Sequence, residues 1–253
     1  GLGTADMKSF LALAMAATAD IDPANLTAPL ILLATADEES SMSGARALVA
    51  AGRPQGRFAL IGEPTGLRPV RMHKGIFMEA IRVEGQSGHS SDPLLGQNAL
   101  EGMHTAISEL LAWRDELRSG PLDDTFTIPY STLNLGHIHG GDNPNRICGQ
   151  TELQIDLRFI PGLNRAELRE ELHRRVSEAV SQQNPALQTH FEALFEGTDP
   201  MQTKADSLLV RTTERLSGAK AESVAYATEA PFLAAARTGA ARDDLGAKKC
   251  ERS

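Results

Sequence analysis

The 253 residues are enough for one large domain or two ordinary ones, and 41% hydrophobic with 23% charged residues is typical of a globular protein in water. A formal net charge of −8 argues against a nucleic-acid surface, because phosphate binding needs clustered lysine and arginine. No apolar run approaches the roughly 20 residues that span a bilayer. Cys148 and Cys250 cannot build a disulfide framework, so we expect a cytoplasmic protein.

The first part of the chain predicts a βαβ unit of a mainly parallel sheet. Short apolar runs with no polar alternation are typical of strands that are buried on both faces. The predicted elements are a helix over Met7–Ala19 with Asp6 as its N-cap, a strand over Leu30–Ala36, a helix over Met42–Ala51 closed by Gly52, and a strand over Phe58–Gly62.

The pattern changes near His73. Strands are predicted over Ile76–Val83, Thr132–His139, Glu152–Ile160 and Gln188–Phe195, and helices over Asn98–Arg118 and Ala166–Ser181. The order β-α-β-β-α-β is that of a ferredoxin-like α+β unit. We therefore expect a catalytic α/β domain over residues 1–71, an inserted domain over 72–197, and a return to the α/β domain over 198–253.

Acidic residues gather where the predicted strands end. Glu38 and Glu39 follow the first strand, Glu63 follows the second, and Asp6 begins a helix on the same expected edge. Ligands of open α/β sheets bind outside the carboxyl ends of the strands, and a cation there would relieve the repulsion between the acids. The alternative is a helix cap and solvated loop acids without a ligand.

A two-metal centre needs acid ligands and one free carboxylate that takes a proton from water. Asp6, Glu39 and Glu63 have the residue type for the ligands. Glu38 sits next to a ligand in the sequence, and this position suits the general base.

Six short runs extend this interpretation. They occur in order at Gly1–Lys8, Ala34–Glu39, Ile61–Thr65, Gly85–Ser91, Asn134–Gly141 and Thr228–Phe232. As an ordered set, they resemble the acetylornithine deacetylase family, which is part of the two-zinc amidohydrolases and carboxypeptidases that also include succinyl-diaminopimelate desuccinylase. The resemblance covers residues 1 to about 233.

The resemblance implies a zinc-peptidase-like catalytic domain with a ferredoxin-like lid that also mediates homodimerisation. It implies two zinc ions, with cobalt as a substitute, bridged by Asp6 and bound terminally by Glu39 and Glu63. Glu38 would be the base and His89 would polarise the scissile carbonyl. The substrate would be an N-acyl amino acid, foremost N2-acetyl-L-ornithine, and the alternatives are a desuccinylase or a general aminoacylase.

Residues for substrate binding follow from the same resemblance. Asn145, Arg146 and Arg158 would lie near the substrate, and Thr228 and Glu229 belong to the returning α/β domain, where Glu229 could meet the ornithine amine. Their alternatives are structural: a loop histidine for His89, a surface partner for Arg158 and a helix-start acid for Glu229.

Two features depart from the family pattern. The family's two histidine ligands lie upstream of Gly1 and downstream of the Thr228–Phe232 run, and neither has a counterpart here. The tail after Phe232, ending in the charged stretch 248–253, resembles nothing in the family. We therefore expect a chain truncated at both ends, for which a non-catalytic fragment is the remaining alternative.

Overall fold

The structure is a computed structural model that describes residues 3–238, and the side chains of 236–238 are outside that description. The described chain divides into two compact units. The first contains the residues up to Arg71, Thr203–Glu222 and the residues from Thr228 onward, and the second contains Met72–Gln202 and Ser223–Ala227. The charged tail and Cys250 lie outside the described residues.

The second unit is built on a four-stranded antiparallel sheet. Its strands are β2 (Gly75–Glu84), β4 (Thr132–Gly140), β6 (Gln150–Phe159) and β7 (Gln188–Thr198), in the spatial order β4-β6-β2-β7. Helices α3 (Ala99–Ser119) and α4 (Arg165–Gln183) connect them, which gives the β-α-β-β-α-β order of a ferredoxin-like fold. Both helices are capped by asparagine, since the side chains of Asn98 and Asn164 accept N–H groups from the first turns of α3 and α4.

The core of this unit lies between the sheet and the two helices. Because strand side chains alternate, Phe77, Ile81 and Val83 of β2 face the helices, while Arg82 lies on the opposite face. The facing residues of β6 are Leu153, Ile155, Leu157 and Phe159, and they pack against Met103, Leu110 and Trp113 of α3 and Leu172, Val176 and Val180 of α4.

Shorter strands complete the architecture. β3 (Gly88–His89) pairs with β5 (Arg146–Ile147) in the second unit. Strand β1 (Val70–His73) lies between β8 (Met201–Gln202) and β9 (Glu222–Val224), where the chain passes between units.

The first unit is formed mainly by helices in the described residues. They are α1 (Ser9–Ala19), α2 (Ser43–Ala51), α5 (Leu208–Ser217) and α6 (Ala230–Thr238). None of the described helices in either unit is long and apolar enough to cross a membrane.

Three local predictions are wrong in this unit. The segments Leu30–Ala36 and Phe58–Gly62 form no strand, because no described segment hydrogen-bonds alongside them, and Leu32, Phe58 and Leu60 are left exposed. The first α-helix begins at Ser9 with Lys8 as its N-cap. Asp6 does not cap it, since Asp6 and Met7 have non-helical backbone angles.

Candidate metal centre and substrate residues

Hydrogen bonds of Asp37 stabilise the loop that carries Glu38 and Glu39. Asp37 has a left-handed backbone with φ of 64°, and its carbonyl accepts the Met42 N–H at 2.7 Å. Its carboxylate accepts the hydroxyls of Ser40 and Ser41. Hydrogen bonds from Ser40, Ser41 and Ser43 lower the pKa of Asp37 to about 2, so the loop keeps this anchor ionised at neutral pH.

Helix α2 supports the same loop from its first turn. The Gly44 N–H donates to the Ala36 carbonyl at 3.2 Å. A Cβ at Gly44 would lie 2.6 Å from both the nitrogen and the oxygen of Ala36. Only glycine lets the helix approach the acidic segment this closely.

Glu38 is half-buried among other carboxylates. Burial, followed by the charges of Glu63, Glu39, Glu229 and Asp6, raises the pKa of Glu38 to about 7. The fold therefore brings the four sequence-predicted acids into electrostatic contact, although they are far apart in the sequence.

Glu63 shares this environment. Burial raises its pKa, and the charges of Asp6, Glu39 and Glu229 add to the effect. Uncompensated carboxylates of this kind suit a cation, because a positive charge would remove their mutual repulsion.

Glu229 lies at the edge of this acidic group. It is only 8% exposed, and its Oε2 accepts the Thr35 hydroxyl at 2.6 Å. Its Oε1 is buried without a hydrogen-bond partner among the described residues. The neighbouring Thr228 is buried too, and its hydroxyl accepts the Ala230 N–H at 3.2 Å, which caps α6.

The acids fit a divalent cation in charge and donor type. Carboxylate oxygens are ligands for zinc and other divalent metals. Within residues 3–238, however, no group of three or more histidine, cysteine, aspartate or glutamate side chains is arranged to hold a metal ion. Asp6, Glu39 and Glu63 therefore stand as candidate ligands by chemistry and proximity, without a closed coordination shell.

The second unit brings three predicted residues together. His89 in β3 is the Cα partner of Arg146 in β5, and the Ser90 N–H donates to the Asn145 carbonyl at 2.9 Å. The His89 Nδ1 accepts the Ser91 N–H at 3.2 Å and lies 2.7 Å from the Ser91 hydroxyl. This pattern assigns the ring proton to Nε2, which leaves an exposed imidazole with an outward N–H donor.

Arg146 and Arg158 already have partners. Arg146 pairs with Asp142 at 2.5 Å, and Arg158 pairs with Asp156 at 3.2 Å and donates to the Ala225 carbonyl at 3.2 Å. Arg158 lies on the sheet face opposite the helices, in register with Ile76. A substrate carboxylate would have to share these guanidinium groups with the present partners.

Sequence reasoning missed two residues of the first unit. Thr35 orients Glu229 across 194 positions of sequence, and Gly44 sets the distance between α2 and the acidic loop. Both lie beside the acidic motif, but a threonine and a glycine there carry no signal of a specific contact.

Comparison with known proteins identifies the relatives of this chain. The family model of a peptidase dimerisation domain matches residues 71–184. The acetylornithine deacetylase of Pectobacterium carotovorum is 50% identical over 233 residues, which are 92% of this chain and 60% of that protein. The acetylornithine deacetylase of Proteus mirabilis is 48% identical over 235 residues, 93% of this chain and 60% of that protein. The chain thus spans about three-fifths of the length of these curated relatives.

A solved structure supports the fold. The aminopeptidase PepT from Bacillus cereus superposes with a TM-score of 0.52 at 16% identity, over 79% of this chain and 51% of that one. At this identity the likeness concerns the fold alone, and it confirms the predicted α/β class with its ferredoxin-like part. Over nearly its whole length, the chain is thus similar to about three-fifths of these acetylornithine deacetylases, and its residues 71–184 match the model of a peptidase dimerisation domain.

Proposed function

We propose that the protein containing this chain is a metal-dependent hydrolase that cleaves the amide bond of N-acyl amino acids. Its substrate is N2-acetyl-L-ornithine, and the products are L-ornithine and acetate, as arginine biosynthesis requires. One observation carries the proposal: Glu38 sits half-buried among carboxylates in a chain that is half identical to acetylornithine deacetylases.

The carboxylates would hold the metal. Asp6, Glu39 and Glu63 would hold two zinc ions, or cobalt ions in their place. The bound metal supplies a Lewis acid that polarises the amide carbonyl and lowers the pKa of water towards ~7.

Glu38 is the proposed general base. Glu38 is half-buried and directly precedes the proposed ligand Glu39, a position that suits a base acting on water at the metal. Its carboxylate takes the proton from the attacking water and passes it to the leaving amine. Asp37 keeps its charge in the same loop and fixes the backbone that aims Glu38.

His89 is the proposed donor to the developing oxyanion. Its Nδ1 is occupied by Ser91, so the Nε2–H is left to stabilise negative charge on the carbonyl oxygen. Asn145 and Arg146 lie on the segment that pairs with β3, and they are proposed substrate-binding residues, as are Arg158 and Thr228. An arginine fork suits the α-carboxylate of an amino acid.

We also propose that the chain is divided between two domains. Residues 72–197 are the inserted lid and dimerisation domain, while 1–71 and 198–253 belong to the catalytic domain. The protein would act as a cytoplasmic homodimer. A small-molecule substrate, without nucleic acid or membrane, agrees with the acidic composition.

Substrate choice is tested by side-by-side kinetics. The metal-loaded protein containing this chain should hydrolyse N2-acetyl-L-ornithine with a kcat/KM at least about tenfold above that for N-succinyl-diaminopimelate. The reverse order would identify a desuccinylase, and equal rates for many N-acetyl amino acids would identify a general aminoacylase.

A second candidate concerns the 253 residues alone. In the described residues, no group of three ligand side chains is arranged around a common metal position. This favours a fragment that binds zinc weakly and has no catalytic activity. Zinc content after extensive dialysis decides this. Two tightly bound equivalents per chain would exclude the non-catalytic alternative, whereas less than one would support it.

A further inference from the structure

Two histidines of the edge strand β4 have no part in the proposed hydrolysis. His137 and His139 are both exposed, and they lie two positions apart on the same strand. Side chains at positions i and i+2 of a β-strand point to the same face of the sheet. The two ring centroids are 5.3 Å apart, and the ring planes are tilted by 40°. The strand therefore presents two imidazoles side by side to solvent.

A β-bulge directs both rings to the face of the sheet that lies opposite the helices. The register of β4 on β6 shifts between Leu135 and His137, and Gly136 is the extra residue. His137 is therefore the Cα partner of Gln154. Without the extra residue, it would lie opposite Leu153, whose side chain packs in the core. The bulge thus turns the histidines out of the core and towards solvent.

The separation of the two rings fits one shared metal ion. A metal–nitrogen bond of about 2.0–2.1 Å places the centroid of an imidazole ring about 3.2 Å from the metal. Two such rings at a tetrahedral angle have centroids about 5.2 Å apart. The observed 5.3 Å agrees with this value. No third histidine, cysteine, aspartate or glutamate among residues 3–238 completes a metal-holding group with this pair, so water would supply the remaining ligands.

The surroundings of His139 favour a cation. Its Cα partner on β6 is Glu152, which is 8% exposed and accepts the Arg82 Nε–H at 2.6 Å. Arg82 also pairs with Glu192 at 2.7 Å, so one guanidinium is shared by two carboxylates and the group keeps a negative charge. His139, Arg82 and Glu152 line a cavity of about 310 Å³, which has room for an ion with its water ligands.

We propose that His137 and His139 together bind one transition-metal ion, Zn²⁺, Ni²⁺ or Cu²⁺, on the sheet surface of the second unit. Imidazole suits these ions, whereas Mg²⁺ and Ca²⁺ take oxygen ligands. The proposed catalytic ligands Asp6, Glu39 and Glu63 are residues of the first unit and are not ligands of this ion.

The test uses Ni²⁺ as the probe. The untagged, zinc-loaded protein that contains this chain is dialysed and then titrated calorimetrically with Ni²⁺. H137A and H139A should each raise the Kd for one Ni²⁺ by at least about tenfold, because the second imidazole of a chelating pair binds intramolecularly. H104A, at an exposed histidine of α3, should bind Ni²⁺ like the wild type. Urea unfolding of H137A/H139A should match the wild type, since both side chains are exposed.

Three outcomes would overturn the proposal. An identical Ni²⁺ isotherm in the wild type and in H137A/H139A would show that the pair binds no metal. Single variants that keep the wild-type Kd and change only the stoichiometry would show two histidines that act independently. Titration with Mg²⁺ is the control for charge, and H137A/H139A should leave it unchanged. An equal loss of Mg²⁺ and Ni²⁺ binding in that variant would rule out a site selective for imidazole-binding metals.

Discussion

Single residues decide how the acidic group is assembled. Glu38, Glu39 and Glu63 could be predicted from the sequence because each follows an apolar run, and the fold does bring them into electrostatic contact with Asp6. Thr35 could not be predicted, since its partner Glu229 lies 194 positions away and only the tertiary structure joins them.

The close approach of Gly44 to Ala36 can be tested by substitution. G44A should weaken the packing of α2 on the acidic loop, because the new methyl group meets backbone atoms of Ala36 that cannot move aside. Overpacking of this kind costs about 1–3 kcal/mol. Hydrogen exchange of the Met42 amide, which bonds the Asp37 carbonyl, should therefore accelerate about tenfold or more.

A matched substitution in the same helix is the control. Ala47 is exposed in α2, and A47S should leave the exchange of Met42 unchanged. Equal protection in G44A and the wild type would contradict the close approach of helix and loop.

The secondary structure of the second unit agrees closely with the elements predicted from the sequence, whereas that of the first unit does not. The strands and helices of the sheet-bearing unit carry their own hydrophobic periodicity and caps, and they pair with one another. The segments Leu30–Ala36 and Phe58–Gly62 have the composition of parallel strands. A parallel strand exists only with a hydrogen-bonded neighbour, and the described residues provide none for them.

Helix α4 is joined to the sheet by an ionic group that sequence reasoning did not find. Glu79 of β2 is 2% exposed, on the face that packs against the helices. Arg169 Nε donates to its Oε2 at 2.9 Å, and His173 Nε2 lies 2.5 Å from its Oε1. A buried carboxylate of this kind depends on both partners.

Replacing Arg169 alone should therefore lower the free energy of unfolding more than replacing Arg169 and Glu79 together. R169M should lower the free energy of unfolding by about 3 kcal/mol, because Glu79 stays buried with His173 alone. Adding E79M to R169M should recover at least about half of that loss. Urea unfolding followed by the fluorescence of Trp113, the single tryptophan, measures both. A double variant as unstable as R169M would show that the unpaired charge of Glu79 does not cause the loss of stability.

Helices α3 and α4 are joined by a second ionic group with a pH signature. Arg175 of α4 bonds Glu109 and Glu116 of α3 and Glu171 of its own helix. Hydrogen bonds from Arg174 and Arg175 lower the pKa of Glu171 to about 2. A lowered folded-state pKa adds stability above the unfolded value of 4.5, and this stability is lost as the pH falls towards 2.

The variant E171Q isolates that contribution. The wild type should exceed E171Q in unfolding free energy by about 1 kcal/mol above pH 5, a small figure because solvent screens the pair. The difference should shrink steadily to zero near pH 2. E170Q on the same helix is the control, and a pH-independent difference for E171Q would contradict the assignment.

For the whole molecule, the proposed homodimer points to the edge of the sheet. β4 is an edge strand in the order β4-β6-β2-β7, and its Ile138 is 49% exposed. An exposed apolar residue on a sheet edge favours pairing with a second copy. I138K should therefore shift sedimentation from dimer to monomer at micromolar concentration. L208K, at an exposed leucine of α5, should remain dimeric, and a monomeric wild type would refute the dimer.

Glu38 is the proposed general base of a metal-dependent amide hydrolysis. The most direct test is kcat for N2-acetyl-L-ornithine in the metal-loaded protein that contains this chain, with E38Q beside E101Q, an exposed acid of α3. We predict that E38Q loses at least about 10³-fold in kcat with its metal content unchanged, while E101Q keeps wild-type turnover. Wild-type turnover in E38Q would exclude Glu38 as the general base.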